Sequence, residues 1–326
     1  MNTTTAVRVR PAWDDPGTIV AAIRRAGPFW PLTNYAASDA EMAALGSERP
    51  QTFTPPWFRQ DFALRGEALV EGAEAILHNP HFLGAARSLA GSGAVVRPTS
   101  VYVNLMAPTP FPFTPHLDVP AFRGVTRDHH PIWLLKVMKT SQLFERWRTK
   151  ILTAVSWFYG GPGGDFHYWP EGPDGPVAVE SPPFVDVAVV ADNEATFHGV
   201  GPVGPPDARL LGGLTRESRF VRGERGWDAR DAAGTTLAHV DDADVRITVS
   251  WKADVFADED AARRADAGED SLDLGTVVDV LLADLRARGV AATRPDDPLT
   301  DRAWVATLAA TYRERAPAIR SSRPAE

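Results

Sequence analysis

The sequence predicts an α+β protein, on three observations. Strand-like runs separated by Pro and Gly turns crowd the centre of the chain, residues 96–255. Helix-like periodicity occupies residues 1–95 before this centre and 256–326 after it. Hydrophobic residues at 44% and charged residues at 23% are the balance of a globular protein rather than a disordered one. Helices on both sides of a strand-rich centre are expected to buttress one sheet. With 326 residues the chain can bury a substantial core. It is read as a single enlarged domain with inserts near 123–150 and 204–242.

In the N-terminal part, Asp15-Pro16-Gly17 is a helix start, running to Arg25. Residues 65–89 carry long periodic apolar positions and are expected to be helical. Residues 99–106 then read as a strand, with Val101, Val103 and Leu105 on one face and Tyr102 and Asn104 on the other. Residues 185–191 read as another strand, delivering His198 shortly after its end. Residues 244–251 alternate almost strictly: Val245, Ile247, Val249 and Trp251 share one face, Arg246, Thr248 and Ser250 the other. A polar strand face either meets water or lines a cavity. Two such strands flanking His116-Leu117-Asp118 and a lone His198 favour the cavity. Residues 271–288 and 301–315 close the chain with near-helical spacing of Leu272, Val277, Val280, Leu281 and Leu285 in the first.

Two neutral imidazoles and one carboxylate on one face of a metal ion leave the opposite positions open, as suits Fe(II) and oxygen chemistry. His116, Asp118 and His198 are the candidate ligands. With 8 His and 42 Asp plus Glu in the chain, a His-x-acid triplet is expected about once by chance, so the context carries the inference. A buried guanidinium further along, Arg246, is what a dicarboxylate needs for paired hydrogen bonds.

With these pieces in order the chain resembles the iron(II)/2-oxoglutarate-dependent oxygenases. Their shared core is a double-stranded β-helix of jelly-roll, cupin-like form, here with N- and C-terminal helices packed around it. His116-Leu117-Asp118 matches the family's His-x-Asp pair, and Gly160-Gly161-Pro162-Gly163-Gly164-Asp165-Phe166 its glycine-rich turn. His198-Gly199-Val200 matches the distal histidine, and Arg246-Ile247-Thr248 the Arg-x-Ser/Thr that holds the far carboxylate of 2-oxoglutarate. The resemblance covers residues 95–255, half the chain. It implies Fe(II) on His116, Asp118 and His198, and 2-oxoglutarate on Arg246 and Thr248 with help from Asn104. It further implies O2 as second cosubstrate, with succinate and CO2 released as an unactivated C–H bond is hydroxylated or otherwise oxidised. In halogenating relatives a small residue replaces the carboxylate, so Asp118 points away from halogenation.

Two features depart from the family. His198 and Arg246 are 48 residues apart, and the Gly-, Arg- and Asp-rich stretch 204–242 between them reads as an inserted loop. Arg209 lies nearer the usual spacing and is the rival anchor, although Pro205-Pro206-Asp207-Ala208-Arg209 reads as a turn. The other departure is the segment 123–150, expected to hold a helix that either packs on the surface or caps the barrel mouth.

Among the other histidines, His167 is an alternative second ligand. His129 and His130 are adjacent, so at most one faces a site, and His78, His81 and His239 lie outside the expected core. Tyr102, Phe111, Phe113, Phe122, Trp157 and Trp169 flank the site in sequence and predict an aromatic pocket. Tyr102, His167 and Trp169 are candidate substrate residues. Arg123 either pairs with a substrate carboxylate or is solvated. A small natural-product intermediate or an amino acid is the expected substrate, and a homodimer is compatible with the chain.

Composition excludes other classes. A net charge of −8, with the basic clusters near 8–10, 146–150 and 216–225 broken by acids or apolar residues, argues against a nucleic-acid surface. The absence of cysteine removes disulfides, thiolate metal sites and thiol nucleophiles. No signal-peptide pattern or membrane-length apolar run is read, so a cytoplasmic protein without membrane or nucleic-acid partners is expected. Two other readings stay open. A cupin-type metalloenzyme that does not use 2-oxoglutarate would find Arg246 dispensable, and a non-catalytic barrel binding protein would bind iron weakly.

Overall fold

The computed structural model describes residues 5–34 and 54–318. Parts of the expected N- and C-terminal helical regions, residues 1–4, 35–53 and 319–326, lie outside them. Three antiparallel sheets organise the chain. The main sheet is built from β1 (Ala6–Val9), β2 (Trp30–Pro31), β3 (Trp57–Leu64), β5 (Val95–Met106), β8 (Arg148–Phe158), β11 (Ala188–Ala191) and β16 (Arg246–Phe256). Their order is β1-β11-β8-β16-β5-β3-β2, with the short β4 (Glu67–Ala68) on β3 and β7 (Ala121–Phe122) on β8. A second sheet runs β10-β9-β12-β6, from β6 (Phe113–His116), β9 (Phe166–Trp169), β10 (Ala178–Glu180) and β12 (Phe197–Val200). A third contains β13 (Arg219–Arg222), β14 (Gly226–Arg230) and β15 (Thr236–Asp241).

The two faces of the main sheet do different work. Val101, Val103 and Leu105 of β5 and Ile247, Val249 and Trp251 of β16 enter a large core against N-terminal helices. The helix Pro16–Arg25 begins where expected: the Asp15 side chain accepts from the Gly17 and Thr18 amides, and Pro16 needs no donor partner there. Trp251 is fully buried beside Phe82, and its indole N–H donates to the Leu77 carbonyl at 2.7 Å. The opposite face of the sheet turns toward the second sheet, where Val155, Trp157 and Val189 meet Phe166 in a smaller core. Thr248 and Ser250, on this polar face, are buried, so the strand lines an interior rather than meeting water.

Several expectations are corrected by the structure. Among the described residues the N-terminal part is not mostly helical: β3 runs eight residues and pairs with β5 in the main sheet. A bulge between Asp61 and Ala63 breaks its alternation, so that the adjacent Phe62 and Ala63 are both buried. Residues 65–89 hold β4 and two short helices, Ala73–Leu77 and Pro80–Ala90. The break falls at Asn79-Pro80, where Asn79 caps the second helix by accepting from the His81 and Phe82 amides. The strand expected over 185–191 begins only at Ala188, because Asp186 adopts a left-handed backbone with φ 47°.

The insert 204–242 is not a loop. Its third sheet joins the large core, with Phe220 stacked on Phe58 at 4.5 Å and Trp227 edge-on to Phe29 at 5.6 Å. The helix expected in the 123–150 segment is present as Ile132–Ser141. Trp133, Leu134 and Leu135 bury it in a satellite core with the C-terminal helices Leu274–Ala287 and Arg302–Thr311. Those C-terminal helices pack there rather than buttressing the main sheet, which is the work of the N-terminal ones. No helix among the described residues is long and apolar enough to cross a membrane.

Candidate metal centre

β6 and β12 are neighbours in the second sheet, and His116 stands directly opposite His198 in their register. The two imidazole centroids are 4.4 Å apart. His116 Nδ1 lies 2.9 Å from the Thr114 carbonyl oxygen, and His198 Nδ1 lies 3.0 Å from that of Thr196. A carbonyl only accepts, so each Nδ1 carries the hydrogen and each Nε2 keeps its lone pair. Asp118 follows β6 directly, its backbone N–H donating to the Asn193 carbonyl at 2.9 Å. One potential ligand atom from each of His116, Asp118 and His198 lies within 4.8 Å of the others. Among the described residues this is the one such group of three or more.

The electrostatics suit a cation. Burial, reinforced by His198, pushes His116 down to about 3, so its ring is neutral at ordinary pH. Burial alone would raise Asp118, but the Lys252 ammonium and the two imidazoles hold it below the usual carboxylate range. Lys252 Nζ lies 2.6 Å from Asp118 Oδ2, and this attraction outweighs burial and raises the lysine. Two imidazoles whose Nδ1 atoms are engaged by carbonyls, leaving Nε2 toward the carboxylate, form with the ionised Asp118 a donor set suited to a divalent ion.

The three residues open on a pocket with about 680 Å³ of empty space, its solvent mouth included. Arg246, Thr248 and Ser250 of β16 and Tyr102, Asn104 and Met106 of β5 line its main-sheet wall. Arg246 is fully buried. Its Nε donates to the Gly164 carbonyl at 2.8 Å and its Nη1 to Thr248 Oγ1 at 2.6 Å. Its Nη2 has no hydrogen-bond partner among the described residues. Burial pushes the guanidinium down to about 9, still charged at neutral pH. A buried cation with an unused donor is costly unless an anion completes it.

The glycine-rich turn explains how Arg246 fits. Gly164 has φ +75°, and a Cβ there would lie 2.9 Å from Arg246 Cδ. Gly164→Ala is therefore expected to cost about 1–3 kcal/mol of stability. Urea unfolding checks this, and an unchanged midpoint would mean that the turn does not cradle the arginine.

Other sequence candidates distribute unevenly. Arg209 is exposed in a loop and lies off the pocket lining. Asn104 lines the pocket, its oxygen accepting from Arg59 Nε at 2.8 Å. Tyr102, Phe113 and Trp157 line it as well. Arg123 does not: it donates to the Arg146 carbonyl and to Asp270, near the satellite core. Trp169 and His167 sit on β9 outside the lining, His167 opposite Gly199 in register. Phe122 is buried in the satellite core, and Phe111 packs edge-on to Trp57. The sequence reading missed Trp57 and Arg59, because β3 was not read as a strand, and Asn193, on the turn before β12. It also missed Lys252, although the alternation of Arg246, Thr248 and Ser250 continues to it.

No family profile and no curated protein sequence matches the chain. Solved structures align with parts of it at low similarity. A 2OG-Fe(II) oxygenase family oxidoreductase from Burkholderia pseudomallei is 11% identical with a TM-score of 0.41, over 77% of this chain and 85% of that one. A Pseudomonas putida prolyl-4-hydroxylase is 14% identical with a TM-score of 0.37, over 77% and 93%. HygX from Streptomyces hygroscopicus, solved with nickel, 2-oxoglutarate and hygromycin B bound, is 8% identical with a TM-score of 0.37, over 78% and 84%. At such identities and scores the likeness carries no argument, and the roles of individual residues rest on the geometry of this chain.

Proposed function

We propose that the chain is an Fe(II)- and 2-oxoglutarate-dependent oxygenase with a double-stranded β-helix core, oxidising an unactivated C–H bond of a small molecule. One observation carries the reading. The same pocket holds a two-histidine, one-carboxylate ligand group and a fully buried arginine whose Nη2 lacks a partner. That pairing matches a cosubstrate that chelates a metal at one end and carries a carboxylate at the other.

His116 and His198 would hold Fe(II) through Nε2 and Asp118 through a carboxylate oxygen. Fe(II) held there would supply, with O2 and 2-oxoglutarate, oxidising chemistry whose co-products are succinate and CO2. Arg246 Nη2 and the Thr248 hydroxyl bind the far carboxylate, fixing which way the cosubstrate lies. Asn104 lines the pocket and, with its oxygen engaged by Arg59, would have its amide N–H groups left to serve the ligand. Tyr102, Trp57, Met106 and Phe113 form a largely apolar wall that excludes water and orients the substrate. Asp118 fills the position that a halide would require, so hydroxylation or a related oxidation is the expected outcome. A small natural-product intermediate or an amino acid suits the pocket.

The test is succinate formation from 2-oxoglutarate. Purified protein with Fe(II) and O2 is expected to release succinate slowly alone and faster in the presence of a substrate from a screened panel. No succinate under any condition that loads iron would reject the proposal.

A further inference from the structure

The two oxygens of Asp118 face different partners. Oδ1 lies 3.7 Å from His198 Nε2, on the side of the imidazoles. Oδ2 is taken by Lys252 Nζ at 2.6 Å. The lysine is held in turn: Thr153, its cross-strand neighbour on β8, places Oγ1 3.3 Å from Nζ. Both side chains of the pair are 16% exposed. The Asp118 backbone N–H donates to the Asn193 carbonyl, which fixes the main chain from which the carboxylate projects.

Denticity decides how many positions stay open. A chelating carboxylate with two imidazoles would occupy four of an octahedral ion's positions, and a chelating cosubstrate the other two. A carboxylate bound through one oxygen leaves a position free. For Oδ2 to chelate the ion as well, Asp118 would have to share or loosen its bond to a buried ammonium, which is costly. A charge-assisted bond at this length is among the stronger restraints a protein can place on a carboxylate.

We infer that Lys252 is a positioning residue that keeps Asp118 a one-oxygen ligand by occupying Oδ2, and so reserves the last coordination position for O2. The inference rests on the site reading proposed above. Nitric oxide, an unreactive stand-in for O2, tests it on protein loaded anaerobically with Fe(II) and 2-oxoglutarate. The readouts are the iron–cosubstrate visible band and the high-spin iron–nitrosyl EPR signal. Wild type and Lys252→Arg are expected to show both. Lys252→Met, which fills the space without a donor, is expected to keep the band but to need about tenfold or more nitric oxide, the usual scale for losing a partner of a metal ligand.

Lys252→Met titrating like wild type would overturn the inference. So would band and thermal stability falling together in Lys252→Met without rescue by Lys252→Arg, since that marks a structural role only. A wild type that gives no band at all rejects the site reading, and this inference with it. X-ray absorption of the unaltered Fe(II) protein before 2-oxoglutarate is added gives an answer independent of variant folding. No short iron–carbon path from a chelating carboxylate is expected, and its presence would overturn the inference.

Discussion

Alanine at position 198 is expected to lower Fe(II) affinity by about a hundredfold or more. That is at or beyond the upper end of what losing even an outer partner of a ligand costs. His198 supplies one of three donor atoms, and its ring is held in place by the Thr196 carbonyl. Only His116 and Asp118 would remain, and their geometry alone does not define a face. Fold stability is expected to change little, because the ring lines a pocket rather than a packed core. Anaerobic calorimetric titration with Fe(II), beside thermal melting of the metal-free protein, checks both parts. Unchanged affinity in a folded His198→Ala protein would remove His198 from the ligand set and reopen the case for His167.

Arg246→Met is expected to separate cosubstrate binding from stability. Removing one partner of a buried charge pair costs about 2–5 kcal/mol, so 2-oxoglutarate should bind roughly thirtyfold or more weakly. Fe(II) binding without cosubstrate should be unaffected. Without cosubstrate the variant should be more stable than wild type, by about 1–2 kcal/mol, since an apolar side chain replaces a buried charge lacking its anion. The lost donor to the Gly164 carbonyl offsets part of that gain. Melting curves with and without 2-oxoglutarate read both effects: wild type should gain from the ligand and the variant should not. A variant that melts lower without ligand, and gains as much from it, would make Arg246 a structural residue.

These expectations rest on features that were unevenly legible in the sequence. The alternation through Arg246, Thr248 and Ser250 was visible because β16 is long, regular and paired on both sides by β5 and β8. The ligand residues were visible because His116 and Asp118 are adjacent in the chain, and His198 follows a readable strand. The helix Pro16–Arg25 announced itself through its cap. β3 stayed hidden because its bulge shifts the phase of the buried residues midway. The third sheet stayed hidden because its strands are four to six residues long and rich in Arg, Asp and Gly. The satellite core joins Trp133 to Leu281 and Trp304, partners far apart in the chain that no local periodicity connects. The same limit applied to Arg123, near the ligands in sequence yet turned toward Asp270. Lys252 was readable as a face but not as a partner, since pairing it with Asp118 needs contact across 134 residues.

The most direct measurement is an anaerobic optical titration of the metal-free protein, first with Fe(II) and then with 2-oxoglutarate. A visible metal-to-ligand charge-transfer band should appear only when both are present and saturate with one cosubstrate per protein. Iron binding with no band at any 2-oxoglutarate concentration would contradict the account and leave a cupin-type metalloenzyme that works without this cosubstrate.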